Sequence, residues 1–413
     1  MLMQLLKNIY KNLNGNSVHG ANRKRIPIKQ QKEYLEMFDA PKDDYERSFF
    51  KYKCFCEFCY YKKKWLIVIY NIGAMLLYPF VFKKLKAKGI NKKKSEQCCD
   101  AVVENVPRLR NDDVIPEELT RSFGTIKEIS ELDYKKIYLT SKAIEICKIL
   151  RKRYFWHFYF RLITTVKIAQ FNEYIQEYNP KMIVFYSCER EFSGPLQTLL
   201  CESEGTEYVS FMHGDYLYSL CFAFQRYSRY YTWDEAYNQM FSKLKCDCPM
   251  IVYRPKKLEG IADCKDEHQC KYFATYYFSD ETRQCAEIIY SIFHKFEKEK
   301  LRCKIRPHPR FSDIDMLKSV FPDIEIEDPS NYSLADSITD SLYIVGLNTT
   351  VLSQAYYSGK KIVIDDISMH DQYLELKEKE YIMLNRQHIL LSDVVKELNE
   401  NNHYDATYQF KYE

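Results

Sequence analysis

"LADSITDSLYIVGLNTTVLSQAYYSGKKIVI", residues 334–364, decides the fold. Its middle, 342–345, is a short apolar run of strand length, and Gly346 leaves it. Asn348, Thr349 and Thr350 then open a helix, because short hydroxyl and amide side chains satisfy free N–H groups at a helix start. That helix runs to about Tyr357, Gly359 ends it, and 361–364 is the next strand. A short helix near 333–339 precedes the set. Strands and helices alternating at this spacing give a parallel sheet covered by helices on both faces.

Working upstream, the pattern repeats. Residues 271–278 read as a strand, and Asp280 is placed to cap a helix. Cys285, Ile288, Ile289, Ile292, Phe293 and Phe296 form one apolar stripe on it. A strand at 301–305, a helix near 312–320 and a strand at 323–327 follow. A second unit lies further upstream: "KMIVFY" (181–186) and "EYVSFM" (207–212) are buried strands with the helix "GPLQTLLCESEG" between them. The stretch before them has a helical pattern that ends near Asn179–Pro180. The expected division is an N-terminal region 1–97, a first α/β domain 98–245 and a second 246–413, joined near 240–262.

Ligands of open parallel sheets sit outside the carboxyl ends of the strands. Three marked loops fall there. In Arg306-Pro307-His308-Pro309-Arg310, the prolines stiffen a loop and remove backbone donors, leaving side chains to make contacts. At Asn348-Thr349-Thr350, a helix start offers N–H groups and a partial positive charge to an anion. In "FMHGDY", His213 follows a strand, Gly214 permits a sharp turn and Asp215 comes next. Together the first two loops make a phosphate cradle without a glycine-rich phosphate loop. No paired acids stand out as a metal clamp, and a cationic loop with a helix dipole can stabilise a departing phosphate in a metal's place. Glu189 and Glu191, in "SCEREFSG" (187–194), follow a first-unit strand.

"RPHP" after a strand, with 334–364 about thirty residues later, resembles the donor half of GT-B glycosyltransferases that use CMP-activated sugars. These are bacterial sialyltransferases, polysialyltransferases and capsule Kdo transferases. His308-Pro309 and Thr349-Thr350 match their His-Pro and paired-hydroxyl motifs, with threonine where serine is more usual. The layout is also similar to CDP-glycerol polyol-phosphate transferases, whose His-Gly turn is matched by His213-Gly214, with Asp215 where that family prefers threonine. The resemblance covers roughly 180–370. It implies an α/β protein of GT-B-like architecture, with two Rossmann-like domains facing a cleft. It implies an inverting, metal-independent glycosyltransferase with no cofactor, moving a sialic-acid or Kdo-like sugar from a CMP-sugar to a hydroxyl of a surface glycan or glycolipid. Polyol-phosphate transfer and a non-catalytic scaffold of glycan assembly are the alternatives. In that frame His213, Glu191, Glu189 and Asp215 are the catalytic candidates. Arg306, His308, Pro309, Asn348, Thr349 and Thr350 are the candidates for holding the nucleotide's phosphate.

Composition bounds the rest. The 413 residues suit two domains with extras, and 46% hydrophobic with 29% charged residues describe a folded chain. A net charge of +4 gives no argument for nucleic acid as a partner. The N-terminus lacks the apolar core and cleavage site of a secretory signal, so the 15 cysteines are read as free thiols of a reducing compartment. Cys54, Cys56 and Cys59, and a looser group of Cys246, Cys248, Cys264, His268 and Cys270, lack the spacing of a complete zinc site. Residues 65–82 carry no charge and lie between lysine clusters. They read as a membrane-associating segment or a buried core helix, and the favoured expectation is a cytoplasmic protein attached peripherally to the inner face of the plasma membrane.

Overall fold

The computed structural model describes residues 26–104, 115–121, 123–129, 133, 135–186, 189–212, 214–255, 258, 270–279 and 282–400. They fall into two compact units. The first comprises the described residues up to Met212 together with Tyr218–Tyr253, and the second combines Gly214–Leu217 with the chain from Arg254 onward.

The first unit runs α1 (Ile28–Glu36), α2 (Asp44–Tyr60), α3 (Trp65–Gly89), β1 (Cys99–Glu104), α4 (Glu117–Arg121), β2 (Ile126–Ile129), α5 (Ser141–Arg153) and α6 (Phe158–Tyr178). It continues through β3 (Pro180–Tyr186), α7 (Gly194–Ser203), β4 (Glu207–Phe211), β5 (Arg229–Thr232), α8 (Glu235–Lys243) and β6 (Met250–Val252). Its six strands lie in the order β2-β1-β3-β4-β5-β6, all parallel. The helical pattern before β3 is two helices. Tyr154 stacks on Phe49 of α2 at 4.3 Å between ring centroids, and the chain turns between α5 and α6. At the end of α6, Asn179 takes φ 42° and Pro180 starts β3, a helix stop followed by a residue that cannot continue a helix.

The N-terminal helices are part of this unit rather than a separate region. From α2, the Ser48 hydroxyl donates to the Phe192 carbonyl at 2.7 Å, and the buried Lys51 ammonium donates to the carbonyls of Glu189 (2.7 Å) and Ala223 (3.1 Å). Helix α3 buries Ala74, Tyr78, Val81, Leu85 and Gly89 along one stripe. A Cβ at Gly89 would lie 1.9 Å from the Leu139 carbonyl oxygen, so only glycine permits that approach. Cys54 and Cys56 are buried on α2, and burial pushes their thiols up to about 12. Cys264 and His268 of the second group lie outside the described residues.

The second unit runs β7 (Tyr272–Tyr277), α9 (Arg283–Lys298), β8 (Cys303–Arg306), α10 (Ile314–Val320), β9 (Glu325–Ile326), α11 (Leu334–Thr339) and β10 (Ser341–Gly346). Then come α12 (Thr350–Tyr357), β11 (Lys361–Ile364), α13 (His370–Glu378), β12 (Ile389–Leu390) and α14 (Leu391–Glu400). The strand order is β12-β11-β10-β7-β8-β9, again all parallel. Successive strand residues point to opposite faces, and β10 divides accordingly: Tyr343 and Val345 pack with Phe273, Phe293 and Ile305, while Ile344 packs with Leu352 and Leu376. The two clusters are the cores on the two faces of one sheet, as a Rossmann-like unit requires. Thr282 caps α9, accepting from the Cys285 amide, and Asp280 lies outside the described residues. The chain enters this unit at Arg254 rather than at 246.

Candidate functional site

The order of the second sheet reverses at β7. From β7 the chain winds outward through β8 and β9, then returns to the other side of β7 at β10 and winds through β11 to β12. Helices after β7 and β10 leave to opposite faces, and the gap beyond those strand ends is where such sheets take ligands. The register aligns the ends: Tyr277 pairs with Arg306, and Tyr276 with Val345. The 307–310 loop and the 347–349 loop therefore leave one edge, with only β7 between them. Two inter-strand steps put their roots about 10 Å apart, within reach of side chains converging on one phosphate.

His308 stands half-buried in the first loop, stacked on Phe311 with centroids 4.5 Å apart. Its amide donates to the Ser312 hydroxyl at 2.8 Å, and its Nδ1 accepts from the Arg310 amide at 3.1 Å. With Nδ1 accepting, the neutral ring carries its proton on Nε2, which is left as a donor. Desolvation, then the Arg310 charge, lower the His308 pKa below the ordinary histidine value. Pro309 is exposed beside it.

In the second loop Asn348 and Thr350 are exposed. Thr349 is the N-cap of α12, its hydroxyl accepting from the Val351 amide at 3.4 Å. Of the threonine pair, one is committed in part to the helix and the other presents its side chain outward.

Arg306 stands at the base of the first loop, at the end of β8. It is buried, paired with Glu327, and donates to the carbonyls of Tyr332 (3.0 Å) and Ser333 (3.4 Å). Lys304 pairs with the other oxygen of the same carboxylate. Arg306 thus anchors the base of the loop through a buried ion triad, and the guanidinium that the sequence reading offered to the phosphate is engaged by Glu327 and two carbonyls. The signal lay in "KIR": two cations on one face of an interior strand demand a buried acid, and "EIE", whose last residue directly follows the next strand, supplies one.

Asp215 belongs to the second unit. Its carboxylate accepts from the Ser353 hydroxyl of α12 at 2.9 and 3.0 Å, which ties Gly214–Leu217 to the helix that begins with Thr350. It is a positioning group on α12, a role the sequence did not announce because the partners are 138 residues apart. His213 itself lies outside the described residues. Glu189 and Glu191 belong to the first unit. Glu189 is buried and accepts from the Tyr230 hydroxyl at 3.2 Å. Glu191 is more accessible, with its side chain 23% exposed, and pairs with Lys167 at 2.5 Å. A hollow of about 240 Å³ lined by Tyr373, Tyr381, Leu384, His388 and Asp393 adjoins the edge strand β12 and includes none of the candidate residues.

No family model and no curated protein matches the chain. Among solved structures, it is similar to UDP-GlcNAc 2-epimerase from Neisseria meningitidis bound to UDP-GlcNAc, at 12% identity and TM-score 0.41, covering 75% of this chain and 94% of that one. The UDP-GlcNAc 2-epimerase from Methanocaldococcus jannaschii gives 13% identity and TM-score 0.42, covering 76% and 94%. A variant of the wall teichoic acid polymerase TagF with CDPG gives 9% identity and TM-score 0.41, covering 82% and 88%. Likeness at this level carries no activity across to this chain.

Proposed function

We propose that the protein is an inverting, metal-independent glycosyltransferase that moves an acid sugar, of sialic-acid or Kdo type, from a CMP-sugar to a hydroxyl of a cell-surface glycan precursor. One observation carries the reading: a histidine with an available Nε2–H and a hydroxyl-rich helix start leave the same sheet edge on either side of β7, at the switch point. In the reaction a base takes the acceptor hydroxyl's proton, and the oxygen attacks the anomeric carbon from the face opposite the phosphate. The C–O bond to CMP breaks, and its electrons leave with the phosphate. His308, Asn348, Thr349, Thr350 and the dipole of α12 stabilise that developing charge. Pro309 stiffens the loop, so little entropy is lost on binding. His213 is the proposed base, with Glu191 ahead of the buried Glu189 as the substitute.

Polyol-phosphate transfer from a CDP-alcohol is the second reading. The same cradle suits any cytidine nucleotide, and Asp215, two residues after the His213 of the His-Gly pair in the sequence, is bonded to Ser353 of α12. The test is a thermal-shift screen with CMP, CDP, UDP and GDP, followed by product mass after incubation with each donor class. Cytidine nucleotides should raise the melting temperature most, and the product should gain a sugar without phosphate. A retained phosphate selects the polyol reading, and no nucleotide binding at all selects a non-catalytic scaffold.

A further inference from the structure

Helix α3 is the one helix among the described residues long and apolar enough to cross a membrane, yet it is docked along its side on the first unit. Its buried stripe packs inward. The Arg161 guanidinium, itself buried, lies 4.2 Å from the Tyr78 ring centroid. The Asn71 amide donates to the Trp156 carbonyl at 2.9 Å, and its oxygen accepts from the Tyr159 amide at 3.1 Å. Crossing a bilayer would strip these contacts and bring Arg161 towards hydrocarbon, so the helix does not span.

The other side of α3 is bare. Trp65, Val68, Ile69, Ile72, Leu76 and Phe80 recur every three or four residues and are each at least half exposed. The stripe is about 22 Å long at the helical rise of ~1.5 Å per residue. Phe155 and Trp156, in the turn held against Asn71, stand 45% and 74% exposed beside it. An apolar face of this size on a folded unit marks an interaction site. Charge selects the occupant. Exposed lysines bracket the stripe at both ends: Lys62 and Lys63 before it, Lys83, Lys84 and Lys86 after it. A second copy of the chain would set lysine against lysine in either orientation of pairing. Anionic headgroups match both ends at once while acyl chains receive the middle.

We infer that α3, with the 155–156 turn, is a bilayer-docking face that lies in the plane of an anionic membrane surface. This stands independently of the catalytic reading. Two of the chain's three tryptophans are on the face, and the third, Trp233, is buried, so the native protein carries its own probe. Full-length protein should float with vesicles of phosphatidylcholine and phosphatidylglycerol, more weakly with phosphatidylcholine alone and more weakly in high salt. Its tryptophan emission should shift to the blue and be quenched by lipids brominated near the headgroup. The triple variant Ile69→Glu/Ile72→Glu/Leu76→Glu changes exposed positions only. It should partition about a hundredfold or more weakly into the same vesicles. Wild-type protein that fails to float, with unshifted emission, overturns the inference. So does a dimer that the triple variant converts to monomer with vesicle binding unchanged, since a second copy would then cover the face. Resistance to alkaline extraction from membranes would overturn the in-plane geometry.

Discussion

His308 is the residue on which pH should act. Burial and the Arg310 charge hold its pKa below the ordinary value, so the free protein near neutrality carries it uncharged. A phosphate dianion beside the ring favours the imidazolium and raises the pKa in the complex. Binding therefore takes up a proton at the ring, and the histidine's share of the affinity grows as pH falls while the phosphate remains a dianion. Calorimetry of CMP in buffers of different ionisation enthalpy should show net proton uptake, and His308→Ala should lose the histidine's share of it. At the helix start, Thr349→Ala removes an N-cap and should lower stability by about 1 kcal/mol as well as weaken phosphate binding. Thr350→Ala should weaken binding with the melting temperature unchanged. Glu327 is a structural counterpart, its side chain 5% exposed against both Lys304 and Arg306. Glu327→Gln leaves two buried cations short of one negative charge, and denaturant titration should record a loss of about 3–5 kcal/mol.

At the scale of elements, α3 separates two kinds of glycine. A Cβ at Gly89 meets backbone at 1.9 Å, whereas one at Gly73 meets nothing within 4 Å. Gly89→Ala should shift or unseat the helix and lower the melting temperature sharply. Gly73→Ala should stabilise by up to about 1 kcal/mol through helix propensity alone. Elements with strong local signals were legible in the sequence. The strands β7, β10 and β11, the stripe of α9 and the stop of α12 at Gly359, where φ is +74°, stand where their residues put them. The strands β1, β2, β5, β6 and β12 were not legible. β2 is mostly exposed at a sheet edge, and β6 and β12 are only three and two residues long. Such strands are held by neighbours distant in sequence rather than by their own pattern. The site divides in the same way. The loops of His308 and Thr349 were visible because proline, glycine and hydroxyl residues mark loops locally. The commitment of Arg306 to Glu327 and of Asp215 to Ser353 depends on tertiary contact.

At the scale of the molecule, the two doubly wound sheets give the chain two switch points, and the second is flanked by the loops that the proposed function uses. In the proposed function side chains, not a bound metal, hold the phosphate there, so EDTA should leave wild-type activity intact. Charge-assisted hydrogen bonds contribute about 1.5–3 kcal/mol each, and each 1.4 kcal/mol is about tenfold in affinity. The most direct measurement is calorimetric titration of CMP and of free cytidine into wild-type protein, His308→Ala and the double variant Thr349→Ala/Thr350→Ala. Both variants should lose about ten- to a hundredfold in CMP affinity while binding cytidine as wild type does. Equal losses for CMP and cytidine, or no loss for either, would contradict the assignment of this sheet edge to the phosphate.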